Sequence, residues 1–214
     1  MNRIEIYQGT ENGQAGIGIN VKDKSATLAD LLDAWQPLCD DTGIYKLYGD
    51  NHFAVCKGCQ TNCCNTAYVI PDIIAFKKMA ALKNLDYGSF IAGCFDREKV
   101  AAGLLRMQPD PCIFLSNNIC TVYSCRSLIC RFYVCARMLG ATEQLIYTLA
   151  WTGITALQIF AEQNALIKTN SKVSLSSFDL MFKKLIEEYR NKPQVELFLQ
   201  AHEYEQIPLG PFLE

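Results

Sequence analysis

Cys56-Lys-Gly-Cys59-Gln-Thr-Asn-Cys63-Cys64 is the stretch around which the rest of this 214-residue chain is read. Thiolates are soft, strong metal ligands, and a turn that sets two of them close together can wrap one ion or cluster. Cys56 and Cys59 have the spacing of a metal-binding knuckle. Cys63 and Cys64 are adjacent, so their side chains diverge; they serve different ligand sets, or one of them is structural. A second group follows at Cys112, Cys120, Cys130 and Cys135, with Cys125 as an additional member. These eight thiols predict a cysteine-ligated metal centre as the organising feature. The spacing leaves open whether they build two sites or one cluster with supporting thiols.

The composition fits that reading. Half of the residues are hydrophobic, which supplies a proper core without help from disulfides. The start, Met-Asn-Arg-Ile-Glu-Ile-Tyr-Gln, contains no long apolar run of the secretory kind, so a reducing, cytoplasmic setting is predicted. Eleven cysteines cannot all pair internally, because the number is odd. A net charge of -2 and an isoelectric point near 5.8, with no Lys/Arg run, argue against nucleic acid as a partner. Between Glu143 and Glu162 runs an uncharged segment nearly long enough to span a bilayer. Its two Gln, three Thr and Gly153 instead predict a buried or subunit-contacting helix, with no membrane span. A homo-oligomer could form through this helix over 141–168.

Outward from the cysteines the chain divides into an N-terminal hairpin and helix (1–52), a cysteine-cluster region (53–137) and a C-terminal helical region (138–214), packed as one unit. Residues 3–6 alternate as a strand, 9–16 form a glycine-rich loop, and 17–21 return as a second strand. Gly13, Gly16 and Gly18 do not form a phosphate loop, since no helix follows them. Ser25 or Thr27 caps a helix over 28–36 that Pro37 ends. Residues 43–55 read as strand and turn. Pro71 opens a helix through Lys83 with Asp72 in its first turn, and a further helix covers 87–104. Residues 113–115 and 119–123 form a hairpin about Asn117-Asn118, which places Cys112 and Cys120 on paired strands. Cys130 and Cys135 follow on a short loop or helix. A second long helix over 176–202 is broken at Pro193. Its apolar stripe is Leu180, Phe182, Leu185, Ile186 and Tyr189, and the tail from Ile207 is irregular. The whole predicts a mainly helical α+β fold, in which a cysteine-rich metal-binding subdomain with short β-hairpins packs on long C-terminal helices.

Over about residues 53–135 the chain resembles the zinc- or iron-chelating cysteine-cluster family of the CxxCxxCC or YkgJ type. The matching residues are Cys56, Cys59, Cys63-Cys64, Cys112-Ile-Phe-Leu115, Cys120-Thr-Val-Tyr123, Arg126 and Cys130-Arg131-Phe132. The segment Ile70-Pro-Asp-Ile-Ile-Ala-Phe-Lys77 and Phe90 are similar to the helix between that family's clusters. Three residues separate Cys59 from Cys63 where the family usually has two, a spacing closer to the flagellin lysine N-methylase relatives. Gln60 replaces a usual Gly and Ser127 a usual Pro. The resemblance implies a cysteine-bound metal at Cys56, Cys59, Cys63, Cys64, Cys112, Cys120, Cys130 and Cys135.

All-thiolate ligation suits both an iron–sulfur cluster and zinc. Eight thiolates with no histidine among them favour an iron–sulfur cluster, 4Fe–4S first, with zinc as the alternative. Radical-SAM spacing and a SAM-binding glycine loop are both absent. His52 and His202 are the only histidines, which leaves little material for a Ser-His-Asp or Cys-His catalyst. His52, four residues before Cys56, reads as a ligand or a turn residue, and His202 as a helix-end surface residue. Arg126 and Arg131 flank Cys130. They read as cations for an anionic substrate or for the thiolate cluster, or as ion-pair partners of an acid such as Asp72. Tyr123 reads as a hydrogen-bond donor to a cluster sulfur or as core. Trp35, Trp151 and Phe160 read as core, and Cys39 and Cys94 as buried small hydrophobes.

Three functions remain. The first is a redox or cluster-assisted iron–sulfur protein acting on a small molecule or protein. The second is a zinc-stapled protein-interaction module. The third is a lysine N-methylase-like group-transfer enzyme.

Overall fold

The computed structural model describes residues 3–41, 64, 67–168 and 174–213. It is a mainly helical α+β fold with two small antiparallel hairpins. The stretch 43–55, His52, Cys56, Cys59 and Cys63 lie outside the described residues.

Strands β1 (Ile4–Glu11) and β2 (Gln14–Val21) pair in register from Ile4↔Val21 to Glu11↔Gln14. The strands run through the expected 9–16 loop because Asn12 and Gly13 alone make the turn. Both have positive φ, 53° and 76°, as a two-residue hairpin turn requires. The glycines in β2 serve close packing. A Cβ on Gly18 would collide with the Tyr7 ring, and one on Gly16 would lie 2.6 Å from the Arg137 carbonyl oxygen. That closeness lets Ile17 exchange backbone bonds with Arg137 and Leu139, both at 2.9 Å.

Helix α1 (Leu28–Asp40) is capped by Thr27, not Ser25, in a capping box closed by Asp30. It buries Leu28, Leu31, Leu32, Trp35, Leu38 and Cys39 on one face. Pro37 does not end it. Pro37 and Asp33, whose carbonyl loses its partner, both face solvent, while the buried Leu38 and Cys39 draw the last turn onto the core.

Helix α2 (Ile73–Leu82) takes Asp72 as its N-cap, one position outside the expected first turn. The expected 87–104 helix is two helices, α3 (Tyr87–Cys94) and α4 (Arg97–Ala101). Phe95 is extended between them and Asp96 caps the second. Strands β3 (Leu115–Ser116) and β4 (Ile119–Cys120) form the second hairpin about Asn117-Asn118, with φ of 49° and 59°. It is shorter than expected, since Tyr123–Cys125 is a 3₁₀ turn. The short α5 (Leu128–Phe132) carries Cys130 and Arg131.

Helix α6 (Thr142–Gln163) is the centre of the core and stops before the expected 168. Its uncharged character has a cause within this chain. Leu145, Leu149, Ala150, Ile154, Ala156, Leu157 and Ala161 are buried against α2, α5, α7 and α8. Among the described residues no helix is long and apolar enough to cross a membrane. Helices α7 (Ser177–Arg190) and α8 (Gln194–Gln200) are separated at Pro193, as expected. In α7 the buried face is Phe182, Ile186 and Tyr189. Leu180, two positions before Phe182, points outward and is 55% exposed. Trp35 is buried, whereas Trp151 and Phe160 are half-buried and pack on the core's edge. The irregular tail is buried too: Ile207 and Leu209 bond to Leu28 and Ala26 at 2.8 Å, closing the chain's end onto the start of α1.

Gly153 marks the tightest crossing in α6. A Cβ there would sit 2.6 Å from the Asp72 Cβ and 2.9 Å from Phe198 Cε1. Alanine would favour the helix by at most about 1 kcal/mol, but overpacking costs about 1–3 kcal/mol. Gly153→Ala is therefore expected to lower the urea midpoint; an unchanged or higher midpoint would show that the crossing can relax.

Candidate metal centre

Backbone bonds and the second hairpin connect the positions of Cys64, Cys112 and Cys120, three of the sequence-expected ligands. The Cys112 backbone N–H donates to the Cys64 carbonyl at 2.7 Å, which ties the end of the first cysteine run to the start of the second. Cys112 lies in the turn before β3, not on a strand; its carbonyl accepts from Leu115 N at 2.8 Å, and Leu115 faces Cys120 across the hairpin. From α5, Cys130 completes the group, with Ser127 Oγ donating to its Sγ at 3.4 Å.

Cys112, Cys120 and Cys130 lie within electrostatic reach of one another and of Cys64. Burial pushes the Cys130 thiol up to about 12, and negative charge on Cys112, Cys64 or Cys120 pushes it further in that direction. Burial also raises Cys120, as do Cys112 and Cys64, while Arg126 opposes the shift. Cys112 is raised by burial, with Cys64 adding to it. Such thiols hold their protons when alone and release them to a thiophilic cation, so uptake would be proton-coupled. Among the described residues no group of three or more His, Cys, Asp or Glu side chains is already arranged to hold a metal ion. The four thiols are thus close enough to feel one another's charge, without a preformed chelate.

The other described cysteines are Cys135, Cys125, Cys39 and Cys94. Cys135 is half-buried in the bend after α5. The charged neighbours of Cys125 are Lys78 and Lys83. Cys39 is buried in α1 and donates to the Arg131 carbonyl at 3.3 Å; Cys94 is buried at the end of α3.

The residues expected around the sulfurs need three corrections. Among the described residues the Tyr123 hydroxyl donates not to a sulfur but to Asp40 Oδ1, at 3.1 Å. Arg126 and Arg131 do not pair with Asp72. Arg126 lies over the Tyr123 ring at 3.7 Å, and Arg131 is 5.7 Å from the Tyr204 ring centroid. Asp72 has another role. It is 1% exposed and accepts from Ala75 N at 3.0 Å, Leu128 N at 2.9 Å and Tyr204 Oη at 3.0 Å. One carboxylate thereby joins the starts of α2 and α5, and the second of these presents Cys130. The Pro71-Asp72 pair signals a helix start, but nothing in the sequence signals the Leu128 and Tyr204 contacts. His202 is an exposed residue just past α8, as expected.

No protein-family model, curated protein or solved structure matches this chain.

Proposed function

We propose that this is a cysteine-ligated metalloprotein holding an iron–sulfur cluster, 4Fe–4S in preference, with a redox or cluster-assisted role. The observation that supports it best is the mutual electrostatic coupling of Cys64, Cys112, Cys120 and Cys130, brought from two separated stretches. Four half-buried thiols that oppose one another's ionisation form a poor apolar core and a good ligand set for a cation. A bound cluster would supply electron storage or a Lewis-acidic iron. The protein's part is to strip water from the sulfurs, to hold Cys130 through Ser127 and to orient Cys112 through the Cys64 carbonyl. Zinc is the second reading. Four thiolates also complete its tetrahedron, and the two-residue strands and five-residue α5 are elements that a metal would staple.

Anaerobic purification, followed by iron, sulfide and zinc analysis and a visible spectrum, separates these readings. Brown protein with iron and sulfide is expected. Colourless protein with stoichiometric zinc would select the zinc module, and a chain that takes up neither after reconstitution would overturn both. Cys130→Ser is expected to lose most of the metal, whereas Cys125→Ser keeps it.

A further inference from the structure

A buried cation needs an opposite charge, and among the described residues Arg126 has no carboxylate in ion-pair range. It is 6% exposed. Among the described residues its guanidinium donates to neutral oxygens: Tyr123 O at 3.0 Å, Cys130 O at 3.4 Å and Gln36 Oε1 at 3.5 Å. One face is covered by the Tyr123 ring. Among the described residues no carboxylate stands within ion-pair distance of it. Arg190, a more exposed arginine, holds both Glu162 and Glu187 at 2.9 Å. Leaving a charge out of water without a counterion is costly, so an anion is expected nearby.

We propose that Arg126 is the built-in countercharge of the thiolate centre. Four thiolates around a divalent ion leave two negative charges uncompensated, and a four-iron cluster with four thiolates is likewise anionic. Arg126 offsets part of that charge from a fixed position. Its bond to the Cys130 carbonyl and its contacts with Tyr123 tie it to the backbone that carries the ligands. Its burial turns it away from any dissolved anionic substrate. The assignment depends on the quartet being a metal site.

The test is a Cd²⁺ titration of the reduced, chelator-stripped full chain, followed by thiolate-to-cadmium absorption in the ultraviolet. Wild type, Arg126→Lys and Arg126→Gln are compared, with circular dichroism to confirm folding. Arg126→Gln is expected to weaken Cd²⁺ binding about tenfold or more, and Arg126→Lys, which keeps the charge but not the planar fork, to stay within about threefold of wild type. Equal affinity for Arg126→Gln and wild type would overturn the proposal. So would equal losses in both variants, which would assign Arg126 to geometry, not charge. If Arg126→Gln does not fold, Arg126→Lys decides alone, and a tenfold loss there overturns the proposal. A wild-type chain that gives no thiolate–cadmium band would instead remove the metal reading itself, and the countercharge with it.

Discussion

Replacing Asp72 with alanine is expected to destabilise the fold by roughly 3–5 kcal/mol, because three buried donors lose their acceptor at about 1–3 kcal/mol each. Those donors are Ala75 N, Leu128 N and the Tyr204 hydroxyl. Relief of the buried carboxylate's own desolvation returns part of this, which keeps the total below the simple sum. Asp72→Asn is expected to cost less. Its oxygen can keep Ala75 and Tyr204, while its amide faces the Leu128 N–H and leaves that one donor unpaired. Urea unfolding should therefore rank wild type above Asn above Ala. Amide exchange at Leu128 should rise in the Asn variant before it rises at Ala75. A loss under about 1 kcal/mol for alanine would show that the three donors find other acceptors.

Asp179→Asn is the second large effect, and it carries a pH signature. The buried Asp179 accepts from Lys99 Nζ at 2.7 Å, Ser176 Oγ at 2.7 Å, Ser176 N at 2.9 Å and Tyr68 Oη at 2.9 Å. Burial pushes its carboxyl up, but the Lys99 ammonium and the Ser176 and Tyr68 donors outweigh burial and hold it well below the usual carboxylate range. A depressed folded-state pKa gives stability that is present above the unfolded value, near 3.9, and lost as pH falls through the folded one. Asn keeps the cap but strands the half-buried Lys99, for an expected loss of about 2–4 kcal/mol at pH 7, reduced from a fully buried pair by the exposure of Lys99. The gap between wild type and variant in urea should be full at pH 7 and narrow below about pH 4. A gap independent of pH would mean that Lys99 contributes no charge stabilisation.

The two aspartates have opposite signs for one reason. Asp179 is matched by a cation, whereas Asp72 is matched only by neutral donors, so burial dominates and its pKa is raised. The folded state then holds the Asp72 proton more tightly than the unfolded chain does. Stability from this group grows as pH falls through the raised folded value toward the unfolded one. Acid sensitivity is therefore expected to arise at the Asp179 end of α7, and not at the helix junction beside the thiols.

Much of the fold was legible from local chemistry. Both hairpins follow from positive-φ pairs, Asn12-Gly13 and Asn117-Asn118. Thr27 and Asp30 announce α1, and Pro193 separates α7 from α8. Local rules failed where tertiary packing outweighed them. Pro37 stays helical because its broken bond faces water, and the 87–104 segment breaks at Phe95, which is fully buried against Phe76 and Phe90. For the centre, the sequence supplied the list of thiols and the placement of Cys130 on a short element. It could not say that Tyr123 serves Asp40, nor that Asp72 serves two helix starts and neither arginine.

By itself, then, the amino-acid order determined which segments become helix or hairpin, because caps, turns and apolar periodicity act within a few residues. It also determined that the chain is rich in thiols in two stretches. Only the tertiary structure decided that the Cys64 carbonyl meets the Cys112 N–H, that Asp72 joins α2 to α5, and that Arg126 is enclosed with no carboxylate in ion-pair range among the described residues. Those outcomes depend on burial and on distances between residues far apart in the chain, where dielectric environment and unmet hydrogen bonds fix the energy.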